Sequence, residues 1–339
     1  MDLTELEKTA KALVAEGKGI LAADESMGTI KKRFASISLE STEDARRDYR
    51  EMFFTTPGAE QHISGVILFD ETIHQSTRAG VPFPKVLADK GIIPGIKVDT
   101  GAKDMAGFPG EKVTEGLDGL RERLAHYREL GARFAKWRAV ITIGAGIPTS
   151  ACIQANAHAL ARYAALCQEQ GLVPIVEPEV LMDGDHDIQR CAEATEATQR
   201  AVFAALNEQR IHLEGMLLKP NMVISGKQCP LQAGVEVVAE ATVRTLLRCV
   251  PAAVPGIVFL SGGQGPEEAT RHLNAMNALG RFPWKLSFSY GRALQEPSLK
   301  AWAGNEANFA RGQQLFAQRA SLNGAATLGR YSPQMENAG

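Results

Sequence analysis

LVPIVEPEV, residues 172–180, is apolar throughout except for two glutamates spaced two apart. An unbroken apolar run of this length suits a strand buried on both sides, as in a parallel sheet. Residues two apart on a strand point the same way, so Glu177 and Glu179 share a face. Runs of the same kind precede it at GILAAD (19–24), GVILFD (65–70), GIKVD (95–99) and FAKWRAVI (134–141). Others follow at GMLLKPNMV (215–223), GIVFLSG (256–262) and KLSFSYG (285–291), which makes eight candidate strands.

The stretches between the runs read as helices. Before the quoted run, Thr149 and Ser150 stand where a helix is capped, Ile153, Ala157, Leu160 and Ala164 line one side, and Gly171 ends it. After it, Ile188, Cys191, Thr195, Val202 and Leu206 fall close to one helical face behind the acidic start DGDHD (183–187). Eight strands alternating with helices predict a (β/α)8 TIM barrel. A doubly wound open sheet is the architectural alternative, but its G-x-G-x-x-G turn after the first strand is missing. No linker divides the chain, so residues 1–339 are expected to form one domain. The amphipathic start, MDLTELEKTAKALVAEGKG, is expected to be a helix, and residues 323–339 a short tail.

Composition narrows the function classes. The net charge of −2 gives no general pull toward nucleic acid or membrane. No apolar run approaches the roughly 18 residues that span a bilayer. The start lacks the apolar block of a signal peptide. The five cysteines are scattered, with no C-x-x-C pair, which fits a reducing, cytoplasmic setting.

Polar residues gather where the apolar runs end. These are Asp24, Lys97 and Asp99, Lys136 and Arg138, Glu177 and Glu179, Lys219, Ser261, and Ser289 with Arg292. In a barrel those C-terminal ends converge on one mouth, where such enzymes hold their active sites. The competing reading is an ion-pair network filling the barrel. Two glycine-rich turns, SGGQG (261–265) and SYGRAL (289–294), follow the seventh and eighth runs. Barrels often bind phosphate there, through backbone N–H groups that glycine leaves open. Ser261, Gly262, Gly263, Ser289, Gly291 and Arg292 are the candidates for that site. Ser26 and Arg33 beyond the first run, with Lys97, are candidates for a second anion site. Two such sites imply a small bisphosphorylated substrate.

Lys219 stands between apolar residues 216–218 and 222–224, followed by Pro220. A buried ammonium is costly unless paired or neutralised, so it is either a structural ion pair or a chemical tool. A free lysine titrates near 10.4, so roughly one in two thousand is neutral at pH 7. Burial and a neighbouring cation favour the nucleophilic amine, and Lys136 is a candidate for that cation. Such an amine forms an iminium with a ketone and draws electrons from the adjacent carbon–carbon bond. Glu177 and Glu179 are candidates for the proton transfers. This electron sink needs no metal or other cofactor. None of the seven histidines forms H-x-H or H-x-x-x-H, and DGDHD reads better as a helix cap than as a metal loop.

GILAADES, GIKVD, FAKWRAV, PIVEPEVL, LEGMLLKPNMV, FLSGGQ and FSYGRALQ, in this order over residues 19–295, resemble the segments of class I fructose-1,6-bisphosphate aldolases. The resemblance implies Lys219 as the Schiff-base lysine. It implies Glu177, with Glu179 beside it, in carbinolamine dehydration, and Lys136 and Arg138 as cations at the reacting centre. Asp24 is implied as the base that takes the C4 hydroxyl proton. Ser261, Gly262, Gly291 and Arg292 match the C1-phosphate site. Ser26, Arg33 and Lys97 match residues around the C6 phosphate. Thr29 stands where the family often has serine. The family further implies a homotetramer. Other readings are a Schiff-base aldolase for fructose 1-phosphate or sedoheptulose bisphosphate, a pyridoxal-phosphate enzyme, and a non-catalytic scaffold.

Animal and plant members carry a longer tail ending in tyrosine, implied to exchange the enamine proton, whereas this sequence ends RYSPQMENAG. Tyr331 matches the tyrosine before that tail, not the terminal one. Proton transfer at C3 is then expected to rely on Glu177 or water. Removing residues 332–339 is expected to change turnover little; a large loss of C3 proton exchange in that truncation would refute the expectation.

Overall fold

A chain segment that is apolar on both faces satisfies its backbone only by pairing inside the core. The molecule, a computed structural model describing residues 2–337, pairs all eight runs in this way. In chain order the strands are β1 (Gly19–Ala23), β2 (Ile63–Leu68), β3 (Ile93–Lys97), β4 (Gly101–Asp104) and β5 (Lys112–Glu115). They continue with β6 (Phe134–Ile141), β7 (Val173–Val180), β8 (Leu217–Leu218), β9 (Gly256–Phe259) and β10 (Lys285–Tyr290). The first helices are α1 (Leu3–Leu13), α2 (Met27–Ala35), α3 (Glu43–Phe54), α4 (Asp70–Ile73), α5 (Phe83–Asp89) and α6 (Leu120–Glu129). The rest are α7 (Ser150–Glu169), α8 (Ile188–Glu208), α9 (Val235–Cys249), α10 (Pro266–Ala278), α11 (Arg292–Trp302) and α12 (Phe309–Ala326). β1, β10, β9, β8, β7, β6, β3 and β2 hydrogen-bond in that order, all parallel, and close into the expected barrel.

The helix starts follow from their caps. The Thr149 hydroxyl accepts the Cys152 N–H at 3.2 Å and opens α7. In the DGDHD loop, Asp187 accepts the Arg190 N–H at 2.8 Å and opens α8.

Alternation along the strands sorts the barrel interior into levels. Lower positions are apolar: Ile20, Ile67, Phe134, Val173, Ile175, Leu217 and Val258 form one buried cluster with Leu6, Ala10, Leu13 and Val14 of the N-terminal segment. α1 therefore plugs the bottom of the barrel. The close fit requires glycine at several strand positions. A Cβ on Gly95 would meet the Phe134 ring at 2.3 Å, and one on Gly256 would meet Val14 at 2.5 Å. Two residues above Phe134 comes Lys136, and two above Ile175 comes Glu177. The same face that is apolar below turns ionic at the mouth.

Three features differ from the sequence reading. β8 is only Leu217–Leu218, because Pro220 has no N–H to extend the ladder. An antiparallel hairpin, β4 with β5, follows β3, and its short, mostly polar strands carry no apolar run that would announce them. The tail begins later than residue 323, since α12 continues to Ala326 with Asn323 and Gly324 buried in it. Beyond α12, Glu336 is anchored on the buried Arg319 at 2.7 Å and accepts from the Tyr331 hydroxyl at 2.8 Å. Removing residues 332–339 would leave the Arg319 charge unpaired and lower stability, whatever it does to turnover.

Gly95→Ala is expected to cost about 1–3 kcal/mol in urea denaturation, because the added methyl overpacks Phe134. The cost should shrink in a Phe134→Leu background; an equal cost in both backgrounds would show that the ring is not the obstacle.

Candidate active site

Four charged side chains from four strand ends meet at the mouth. Lys136 on β6 pairs with Asp24, just after β1, at 2.7 Å. It also lies 3.2 Å from Glu177 Oε2 on β7, an ion contact off the hydrogen-bond axis. The other Glu177 oxygen, Oε1, lies 3.2 Å from Lys219 Nζ, just after β8. Glu177 thus bridges two lysines. Lys136, Glu177 and Lys219 are all buried.

The electrostatics follow from that packing. Burial pushes the Asp24 carboxyl up, but Lys136, Lys219 and Lys97 more than reverse this and hold it at about 2. Burial also works against the Lys136 ammonium. Asp24, Glu177 and Asp99 outweigh it and raise Lys136 above the ordinary lysine range. Lys136 is therefore a permanent cation, joined to Lys219 through one shared carboxylate.

A second tier surrounds these groups. Arg138, two residues above Lys136, pairs with Glu179, two above Glu177. Lys97 at the end of β3 pairs with Asp99 at 2.7 Å, and the other Asp99 oxygen accepts the Arg138 N–H at 3.2 Å. Asp99 thereby ties β3 to β6 at the level of the buried lysines.

All these residues line one cleft of about 1140 Å³, together with Ser26, Thr29, Arg33, Ser261, Gly262, Gly263, Ser289, Gly291 and Arg292. The Ser26 and Thr29 hydroxyls are 3.2 Å apart at the start of α2. Gly262 and Gly263 adopt left-handed φ values of +54° and +85°, which turn the chain sharply after β9. The buried Ser289 hydroxyl has no hydrogen-bond partner among the described residues. Gly291 and Arg292 open α11, whose free N–H groups face this end of the barrel. Arg33 is held by Glu25 and by Gln295, the latter at 3.0 Å. Its tip also flanks Gly291, where a Cβ would come within 3.5 Å of Arg33 Nη2. One guanidinium therefore borders both groups of candidate anion-binding residues, which the sequence reading had kept apart.

Some cleft residues escaped the sequence reading. Glu25 pairs with Arg33 and, at 3.3 Å, with the buried Arg50 of α3. It follows Asp24 directly, so its role depends on where α2 and α3 pack. Asp70 closes the second apolar run as Asp24 closes the first, a signal the sequence reading passed over; it accepts the Tyr127 hydroxyl at 2.6 Å, a contact between residues far apart in the chain. Lys227 enters the cleft from the loop after β8, outside any periodic pattern.

Comparison with known proteins agrees with this geometry. The family model for "Fructose-bisphosphate aldolase class-I" matches residues 5–339. A "Probable fructose-bisphosphate aldolase class 1" of Xanthomonas campestris is 63% identical over 98% of this chain and 99% of its own length. "Fructose-bisphosphate aldolase 5, cytosolic" of Arabidopsis thaliana is 58% identical over 97% of this chain and 92% of its own. Among solved structures, fructose-bisphosphate aldolase of Plasmodium falciparum, in a complex with TRAP and a small-molecule inhibitor, superposes with a TM-score of 0.96. It shares 52% identity and covers 97% of this chain and 95% of that one. A parallel barrel with buried lysines at its mouth, matched over nearly its whole length by these relatives, belongs to the class I fructose-bisphosphate aldolase family.

Proposed function

We propose that the protein reversibly cleaves fructose 1,6-bisphosphate to dihydroxyacetone phosphate and glyceraldehyde 3-phosphate through a Schiff base on Lys219. The observation that carries this reading is the bridging of Lys219 and Lys136 by the buried Glu177. Lys219 Nζ attacks the C2 carbonyl of the open-chain ketose. Glu177, touching that nitrogen, supplies the proton with which the carbinolamine hydroxyl leaves as water. Asp24 takes the C4 hydroxyl proton, the C3–C4 bond breaks, and its electron pair passes into the iminium to give the enamine. Glyceraldehyde 3-phosphate departs. The enamine is protonated at C3, with Glu177 or water as the donor, and hydrolysis returns Lys219 and dihydroxyacetone phosphate.

Lys136 gives this sequence a fixed positive charge beside Asp24 and Glu177, which stabilises carboxylates that must accept and release protons. Lys97 and Arg138 add cationic field from the rim. The glycine turn after β9 with Ser289 and Arg292 takes the C1 phosphate, and Ser26, Thr29, Arg33 and Lys97 border the C6 phosphate. No helix among the described residues is long and apolar enough to cross a membrane. The cytosolic plant relatives support a cytoplasmic role in glycolysis and gluconeogenesis, and the family resemblance supports a homotetramer.

Lys219→Met is expected to abolish cleavage while circular dichroism stays native. Borohydride reduction with dihydroxyacetone phosphate should label Lys219 of the parent enzyme, with or without chelator. Substantial cleavage by the variant, or activity lost to chelator with no adduct, would overturn the reading.

Asp24→Asn should still form the borohydride-trapped adduct but lose roughly 10²–10⁴ in cleavage, the usual range for a general base. Asp24 has a depressed pKa, so its pairing stabilises the fold above about pH 4 and is lost as pH falls through about 2. An acid limb of kcat/KM above pH 4 therefore belongs to another group and should persist at residual rate in Asp24→Asn. Its disappearance there would contradict the depressed value.

A further inference from the structure

Lys227 has no place in the reaction described above, yet its side chain enters the same cleft. It sits in SGKQC (225–229), the loop after β8. That loop is fastened to the loop after β7 by successive hydrogen bonds. The Gly226 N–H donates to the His186 carbonyl at 2.8 Å, Lys227 to Met182 at 2.8 Å, and Gln228 to Gly184 at 2.9 Å. The Gln228 side chain returns the contact by accepting the Gly184 N–H at 2.7 Å. The two backbones lie so close that a Cβ on Gly226 would fall 2.3 Å from the Gly184 carbonyl oxygen. The base of Lys227 is thus held in place by neighbouring loops.

Its tip lies over the glycine turn after β9. A Cβ built on Gly263 would meet Lys227 Nζ at 3.0 Å and Met182 Sδ at 3.0 Å. Glycine at 263 therefore leaves room for the ammonium as well as supplying a left-handed turn. Among the described residues, neither the Gly262 nor the Gly263 N–H donates to a protein acceptor. The buried Ser289 hydroxyl is likewise without a partner. The partner that Lys227 has, Asp183 at 3.4 Å, is a solvent-exposed pair of the kind that contributes little. A weakly paired point charge beside two open amides and an unpartnered hydroxyl is a phosphate-binding arrangement.

We propose that Lys227 is an additional binding residue for the phosphate of the ketose C1 end. It contacts the phosphate from above Gly263 when that phosphate occupies the glycine turn. This rests on the aldolase reading and adds to it a residue that tunes affinity for the dihydroxyacetone phosphate half.

The test is kinetics of Lys227→Met, Lys227→Arg and Asp183→Asn in both directions. In condensation, Lys227→Met should raise KM for dihydroxyacetone phosphate by about 5–10-fold, a charge-assisted contact discounted for its exposure. KM for glyceraldehyde 3-phosphate and kcat should stay within about twofold. Lys227→Arg should restore most of the affinity. Asp183→Asn should leave KM unchanged or lower it, since it frees the ammonium. An unchanged dihydroxyacetone phosphate KM in Lys227→Met would overturn the proposal, and so would equal rises for both trioses. Equal effects of Asp183→Asn and Lys227→Met would reduce Lys227 to a loop fastener. If the parent protein neither cleaves nor condenses sugar phosphates, the aldolase reading itself fails, an outcome distinct from the others.

Discussion

The carboxylate of Glu177, wedged between two buried lysines, is the contact around which the site is arranged. Burying charges is costly, and their attraction offsets the cost only when the geometry is close. Asp24, Lys136, Glu177 and Lys219 meet that demand by forming a chain with no net formal charge. Each comes from a different strand end; β6, β7 and β8 are neighbours, but Asp24 beyond β1 reaches Lys136 on β6 only across the closed barrel. The constraint works in both directions. Closure brings the groups together, and their pairing penalises any register that separates them. A slip of one residue in β6 would turn Lys136 and Arg138 toward the helices and bring Trp137 inside.

The apolar lower levels make this possible. α1 and the residues around Phe134 fill the bottom of the barrel, so water reaches the charged tier only from the mouth. An ammonium and a carboxylate in such a place interact more strongly than in solvent, and fixed partners need no reorganisation as charge moves during the reaction. The consequence for Asp24 is direct, since three lysines keep it ionised despite its burial. The residue proposed to accept the C4 proton is therefore always in the state to do so at neutral pH.

Around this centre the candidate anion-binding parts are built mainly from backbone and loops. The turn at Gly262–Gly263, the start of α11 and the interlocked loops after β7 and β8 lie at the rim, where side chains such as Lys227 and Arg292 remain accessible. Arg33 spans the two ends, anchored by Glu25 and Gln295 and touching the Gly291 approach. The candidate catalytic groups thus sit at strand ends and the candidate recognition groups on loops, as suits a barrel whose framework is stiff and whose rim can vary.

Much of this was legible in the chain because a strand's alternation is a local property. FAKWRAVI and LVPIVEPEV each display the apolar lower level, the charged upper level and the shared face within eight or nine residues. The barrel followed from repetition of that pattern, and Lys219 stood out because Pro220 ends its strand just where an ammonium appears. The hairpin at β4–β5 escaped notice because four-residue polar strands have no such pattern. The late start of the tail was equally silent, as α12 runs past residue 323 to bury Asn323 against Thr270. What tertiary structure alone decided were the partners. Only packing between elements puts Lys219 and Lys136 on one carboxylate, sets Glu25 between Arg33 and Arg50, and lays Lys227 over Gly263. Sequence specifies which residue types face inward at each strand end, since that depends on neighbours two positions away. Distances between strand ends depend on how the whole barrel is tilted and staggered, which no single stretch encodes.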